Sequence, residues 1–162
     1  MSRRRRPRNR DPRPKHLSVE EVHALRAERP YCDPTPHLVI PPTTLIPGMP
    51  EEGEDGAHLY RYWSLRGLVV THTPNEHLPS GLVGSLKKQG MIPGWPDYSF
   101  ARPVYYDGAW RTVHIEAKRG CNWKVSRAQA DCIRRLWADG QIAELYWGMA
   151  WGIELTEAFY GR

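Results

Sequence analysis

A chain of 162 residues with 40% hydrophobic and 25% charged content suits one globular domain with length left over for a tail. Three cysteines (Cys32, Cys121 and Cys132) with no C-x-x-C pair exclude a disulfide framework or a structural zinc and point to a reducing compartment. No apolar run approaches the ~20 residues that span a bilayer, and no hydrophobic stretch follows the arginine-rich start, so neither a membrane partner nor a secretory signal is expected and the chain reads as cytosolic.

The formal charge of +5 belongs to the tail: residues 1–15 hold eight Arg or Lys against Asp11 alone, while the remainder has 15 basic and 17 acidic residues. High charge with little apolar surface predicts a disordered arm over residues 1–16. A basic arm on a near-neutral body fits a polyanion such as nucleic acid. Residues 18–28 predict a short helix, with Ser18 and Glu21 as a capping box and Val22 and Leu25 as its apolar stripe. Seven prolines between Pro30 and Pro50 break any regular element, so residues 17–50 read as a helix plus a proline-rich wrap or linker.

The compact domain is expected over residues 51–162. Residues 54–66 predict a helix with Leu59, Tyr62 and Trp63 inward and Gly67 as terminator. Residues 68–73 predict a strand, 81–89 a short helix, and 98–106 with 110–118 a pair of strands around the turn Asp107-Gly108-Ala109. Pro103 places its strand near an edge or a bulge. Residues 126–138 predict the longest helix, opened by a second capping box of Ser126 and Gln129 and buried through Ile133, Leu136 and Trp137. A strand over 142–147 and a short helix over 155–159 close the chain. The order α-β-(α)-β-β-α-β-α predicts a mixed sheet flanked by helices, in the α/β or α+β class.

The chemistry concentrates on one strand. In Val113-His114-Ile115-Glu116-Ala117-Lys118, period-two alternation puts Val113, Ile115 and Ala117 on one face and His114, Glu116 and Lys118 on the other. Asp97 precedes the neighbouring strand, and pairing across the hairpin brings it towards Glu116. Two converging carboxylates suit Mg²⁺ or Mn²⁺, and an adjacent ammonium can orient water or steady charge on phosphorus. That set matches the needs of phosphodiester hydrolysis.

Five stretches in fixed order extend the pattern: His72-Thr73-Pro74-Asn75-Glu76, Leu86-Lys87-Lys88-Gln89-Gly90, Pro93-Gly94-Trp95-Pro96-Asp97, Ile115-Glu116-Ala117-Lys118 and Val125-Ser126-Arg127-Ala128-Gln129. Together they resemble the VRR-NUC branch of the PD-(D/E)XK nucleases, found in phages and in DNA-repair enzymes, over roughly residues 54–159. The resemblance implies a restriction-endonuclease-like core, a divalent metal and cleavage of DNA. Asp97 and Glu116 map onto the metal-binding acids, Lys118 onto the catalytic lysine, and Gln129 onto a glutamine near the site. The family also uses a glutamate of the first helix, for which Glu54 is the best candidate, with Glu51, Glu52 and Asp55 competing and Glu76 a further acid near the site. The tryptophan at Trp95, the loop from Arg119 to Lys124 and the first fifty residues depart from the family pattern.

Lys87, Lys88, Arg119, Lys124 and Arg127 cluster around these acids in sequence and are the expected DNA contacts. Trp95 and Trp123 flank the site, where packing competes with stacking on an unpaired base. The competing class is a non-catalytic DNA-binding or packaging accessory that keeps the fold. Resolution of a branched junction would need a homodimer with two sites.

Overall fold

The computed structural model describes residues 14–73, 88 and 90–161. Its elements are α1 (Val19–Ala27), α2 (Glu52–Leu65), β1 (Val70–His72), β2 (Tyr98–Phe100), β3 (Val104–Tyr106), β4 (Ala109–Arg111), β5 (Val113–Lys118), α3 (Arg127–Ala138), β6 (Ile142–Trp147) and α4 (Gly148–Tyr160). Both expected capping boxes are present. Ser18 and Glu21 open α1, and Ser126 and Gln129 open α3, each exchanging side-chain and backbone hydrogen bonds. Of the helix expected over 81–89 only residue 88 is described, and it is helical; the rest of that helix, Glu76 and Lys87 lie outside the described residues.

Four strands form one mixed sheet in the order β1-β2-β5-β6, with β5 and β6 parallel and the other neighbours antiparallel. The predicted long hairpin is divided. Its inner part pairs β2 with β5, and its outer part is a separate ribbon of β3 and β4. Pro103 has no N–H to give a ladder, and the carbonyl of Arg102 beside it accepts instead from the Tyr160 hydroxyl at 2.9 Å. The ribbon turns where expected. Asp107 and Gly108 both have positive φ, 46° and 78°, the backbone of a tight type I′ turn.

Helices cover both faces of the sheet. Beneath one face α2 packs on α4, and Trp63 meets Tyr98 and Phe100 edge-on at 4.9 and 5.1 Å. The buried Trp63 Nε1 donates to Thr156 Oγ1 at 2.8 Å, so this large ring enters the core without an unpaired polar atom. Close approach of the two helices depends on Gly152, where any Cβ would press on the Leu59 side chain. The expected closing helix starts earlier than its sequence pattern suggested, at Gly148 directly after β6. α3 packs against β6 on the opposite face.

The segment before Glu51 is part of this body. Val22, Leu25, Tyr31 and Ile40 are buried in the same core as the sheet. Residues 14–16, expected within the disordered arm, are held: Arg127 N–H donates to Lys15 O at 3.1 Å, Leu17 N–H donates to Val125 O at 2.8 Å, and His16 bridges to Ser126. The chain then runs along the outer side of β6. There the Tyr31 hydroxyl accepts from Ala143 N–H at 3.0 Å and lies 3.1 Å from Ala143 O, which also accepts from Trp137 Nε1 at 3.0 Å. Arg29 pairs with the buried Glu144 beside it at 2.7 Å.

Candidate active site

β5 is buried along its whole length. Its apolar residues face the α2 and α4 side, while His114, Glu116 and Lys118 point into the layer closed by α3. The β2–β5 register pairs Tyr98 with Ile115 and Ser99 with His114, which sets Asp97 opposite Glu116. Asp97 is fixed there, since its Oδ2 accepts from the Ala117 N–H at 2.9 Å and its carbonyl accepts from Thr73 N–H at 2.7 Å.

Glu116 is 1% exposed. Its Oε1 accepts from Lys118 Nζ at 2.7 Å and from the Gln129 side-chain amide. Its Oε2 is buried and accepts no hydrogen bond from any described residue. Gln129 reaches this position because its own Oε1 accepts from the Ser126 N–H at 2.8 Å, so the capping box and the contact with Glu116 hold together. The loop carrying Asp97 is seated against the same helix turn. Gly94, at φ 79°, lies so close to Ala128 and Gln129 that a Cβ would overlap their backbone.

Acid exceeds base in this cluster. Burial, and then the charges of Asp97 and Glu52, push the Glu116 carboxyl up to about 8 against the pull of Lys118. Burial draws the Lys118 ammonium down, but Glu116, Glu52 and Asp97 together hold it above the ordinary lysine value. The first-helix acid beside the cluster is Glu52, not Glu54. Glu52 Oε2 accepts from the Arg119 N–H at 3.1 Å. Glu54 is exposed, and its carboxylate turns back to accept from Glu51 N–H at 3.1 Å as the third residue of a capping box. Asp55, the other buried acid of α2, faces the Met149 N–H at the start of α4, and burial raises its carboxyl.

The residues able to hold a hard cation are Asp97 and Glu116, with Glu52 beside them. Among the described residues no group of three or more His, Cys, Asp and Glu side chains is assembled for a metal. The donor chemistry of the pair nevertheless fits a divalent cation. It offers carboxylate oxygens, an excess of negative charge and, in Glu116 Oε2, a buried oxygen without a donor. His114 serves the packing: Ser99 Oγ lies 2.9 Å from its Nδ1, Trp95 meets it edge-on at 5.3 Å, and burial lowers its pKa.

The expected DNA contacts divide. Arg119 holds the chain itself, donating to Met49 O at 2.7 Å and Pro50 O at 3.0 Å and pairing with Glu51. Arg127 donates to Pro14 O at 2.8 Å and pairs with Glu21 at 2.9 Å. Lys88 and Lys124 are exposed. Trp123 is buried, donates from Nε1 to Pro41 O at 2.8 Å and packs on Trp147, so it is a wall and not a stacking platform. A cleft of about 500 Å³ opens beside the cluster between the start of α2 and the loop after β5. Sequence reasoning ranked Glu52 behind Glu54 and missed Asn122 on its walls. For Glu52 the E-x-x-E pattern of Glu51 and Glu54 was the signal available.

The sequence matches no family model and no curated protein. The fold does have a solved counterpart, a VRR_NUC domain protein, with TM-score 0.54 and 22% identity over 70% of this chain and 90% of that one. The chain therefore shares the fold of that VRR_NUC domain protein, a mixed sheet flanked by helices. Among the described residues no helix is long and apolar enough to cross a membrane.

Proposed function

We propose that the protein is a metal-dependent deoxyribonuclease centred on Asp97, Glu116 and Lys118. The observation that carries this reading is the Glu116 carboxylate, buried among other acids with one oxygen lacking any described donor. Burying more negative charge than Lys118 balances is costly and raises the carboxyl to about 8; a divalent cation in place of that proton would relieve the cost. Mg²⁺ or Mn²⁺ would be held by Asp97 and Glu116, with Glu52 in place of the expected Glu54 as the first-helix acid. Such an ion supplies Lewis acidity at a phosphodiester and activates water at neutral pH.

The protein's own groups prepare the site. Ala117 N–H orients Asp97, and Gln129 and Lys118 orient Glu116. Lys118 keeps a proton at Nζ, which can donate to the attacking water or to a phosphate oxygen as charge develops. The reaction is read as endonucleolytic, acting on junctions, flaps or nicks in phage-type DNA processing. Incubation of linear, nicked and branched DNA with Mg²⁺ and with EDTA tests it. Metal-dependent cutting is expected, with Asp97→Ala slower by at least about 10²-fold. Binding of DNA without metal-dependent cutting of any substrate would instead assign the chain as a DNA-binding accessory that keeps the nuclease fold.

The basic arm belongs to the same reading. Its attachment at Pro14 and Lys15 lies on Arg127, in the helix turn that also carries Gln129. Residues 1–13, which precede this attachment in sequence, carry seven arginines, and we propose that they contact the phosphates of the bound DNA. Deleting residues 1–13 is expected to weaken binding and to lower the slope of log K against log salt by up to about 6. An unchanged slope removes the arm from the interface.

A further inference from the structure

The loop that follows β5 alternates strictly. Cys121, Trp123 and Val125 are buried, and Asn122 and Lys124 between them are exposed. The inward residues are tied to the proline-rich segment: Ile46 N–H donates to Cys121 Sγ at 3.3 Å, and Trp123 Nε1 donates to Pro41 O at 2.8 Å. The backbone between these anchors is forced into the left-handed region at Asn122, with φ 48°. Asparagine is among the few side chains that tolerate that conformation, and such residues collect at functional sites. The result is a rigid loop that aims two polar side chains into the cleft of about 500 Å³ beside the cluster.

The walls of this cleft differ in charge. Glu51 and Glu52 line one side, and Lys118, Asn122 and Lys124 the other. Lys118 is engaged with Glu116, and the Arg119 guanidinium with Met49, Pro50 and Glu51. Asn122 and Lys124 make no side-chain hydrogen bond or ion pair with another described residue. Their amide and ammonium offer only donors and positive charge towards the cleft, apart from the one amide carbonyl, while the carboxylates opposite repel an anion. A strand entering here must place its phosphates against the Asn122 side.

We propose that Asn122 and Lys124 form a phosphate-binding subsite that takes a phosphodiester flanking the one held at Asp97 and Glu116. This rests on the nuclease reading, but it assigns a binding role to residues that the reading does not need for the chemical step. The test uses the full chain, a short fluorescein-labelled DNA oligonucleotide and two variants, Asn122→Gly and Lys124→Ala. Glycine accepts the left-handed backbone without strain and removes the Asn122 side chain, so a loss in this variant cannot come from strain. In EDTA each variant is expected to bind about tenfold more weakly, with the salt slope lowered by about 1 for Lys124→Ala. In Mg²⁺ each should raise KM by the same factor and leave kcat within about twofold of the unaltered chain. Wild-type affinity and salt slope in both variants would overturn the subsite while leaving Mg²⁺-dependent cutting intact. A fall in kcat with unchanged KM would overturn it as well. A full chain that binds no DNA at all would remove the nuclease reading and the subsite with it.

Discussion

Two glutamates on neighbouring strands, Glu116 on β5 and Glu144 on β6, are buried on opposite faces of the sheet and differ in how their charge is met. Glu116 is 1% exposed and Glu144 5%, and burial raises both carboxyls, to about 8 and about 7. Glu144 faces an arginine that matches it: Arg29 lies 2.7 Å from one oxygen and 2.9 Å from the other. Arg26 and Asp33 complete a balanced group of two bases and two acids. Glu116 faces a single lysine on one oxygen, has no described donor on the other, and shares its surroundings with Asp97 and Glu52. The first arrangement is balanced in charge among the described residues, whereas the second carries an excess of negative charge. Burial and a shifted pKa are common to both, so neither alone marks the site; the charge balance does.

Stability should separate the pair most strongly. Glu144→Ala leaves Arg29 buried beside a missing partner and is expected to cost about 3–5 kcal/mol. Glu116→Gln removes surplus negative charge, keeps both hydrogen-bonding neighbours, and is expected to be neutral or stabilising in metal-free buffer. Urea unfolding of the two variants in EDTA measures the difference, and equal losses would break the comparison. A smaller effect lies in pH. A carboxyl whose folded pKa exceeds its unfolded value binds protons more readily in the native state. Metal-free stability should therefore fall as pH rises from about 5 to about 8, the window between the ordinary glutamate range and the raised values. Thermal melts in EDTA should show this fall, flattened in Glu116→Gln by removal of one contributor. Each kcal/mol corresponds to about 2–4 °C in Tm. Mg²⁺ should oppose the fall in the unaltered chain and have little effect on Glu116→Gln. A cation response that survives this substitution would place the metal elsewhere.

Much of this arrangement was legible in the sequence, for local reasons. Period-two alternation set Glu116 and Lys118 on one face of a strand. The pattern Ser126-x-x-Gln129 placed a glutamine in the first turn of the next helix, and Asp107-Gly108 fixed the ribbon's turn. The first-helix acid was ambiguous because α2 begins before the apolar stripe does: Glu51 caps it, Glu54 completes the cap, and Glu52 is left to reach the cluster. The start of α4 was hidden because Gly148 and Gly152 read as helix breakers, yet Gly152 is there so that Leu59 can pack closely. Arg119 and Arg127 looked like DNA contacts by proximity in sequence. Only the fold shows that they bind backbone carbonyls of the first fifty residues.

The position of Tyr31 has a consequence for handling the protein. β6 is the last strand of the sheet, and Ala143 would otherwise present an open amide and carbonyl along that border. An uncovered border of this kind recruits strands from other molecules. A shortened chain beginning near Glu51 would keep Glu52, Asp97, Glu116 and Lys118 while losing the tyrosine that seals the sheet. Such a fragment should self-associate with rising concentration, and light scattering would reveal aggregates that the full-length chain does not form.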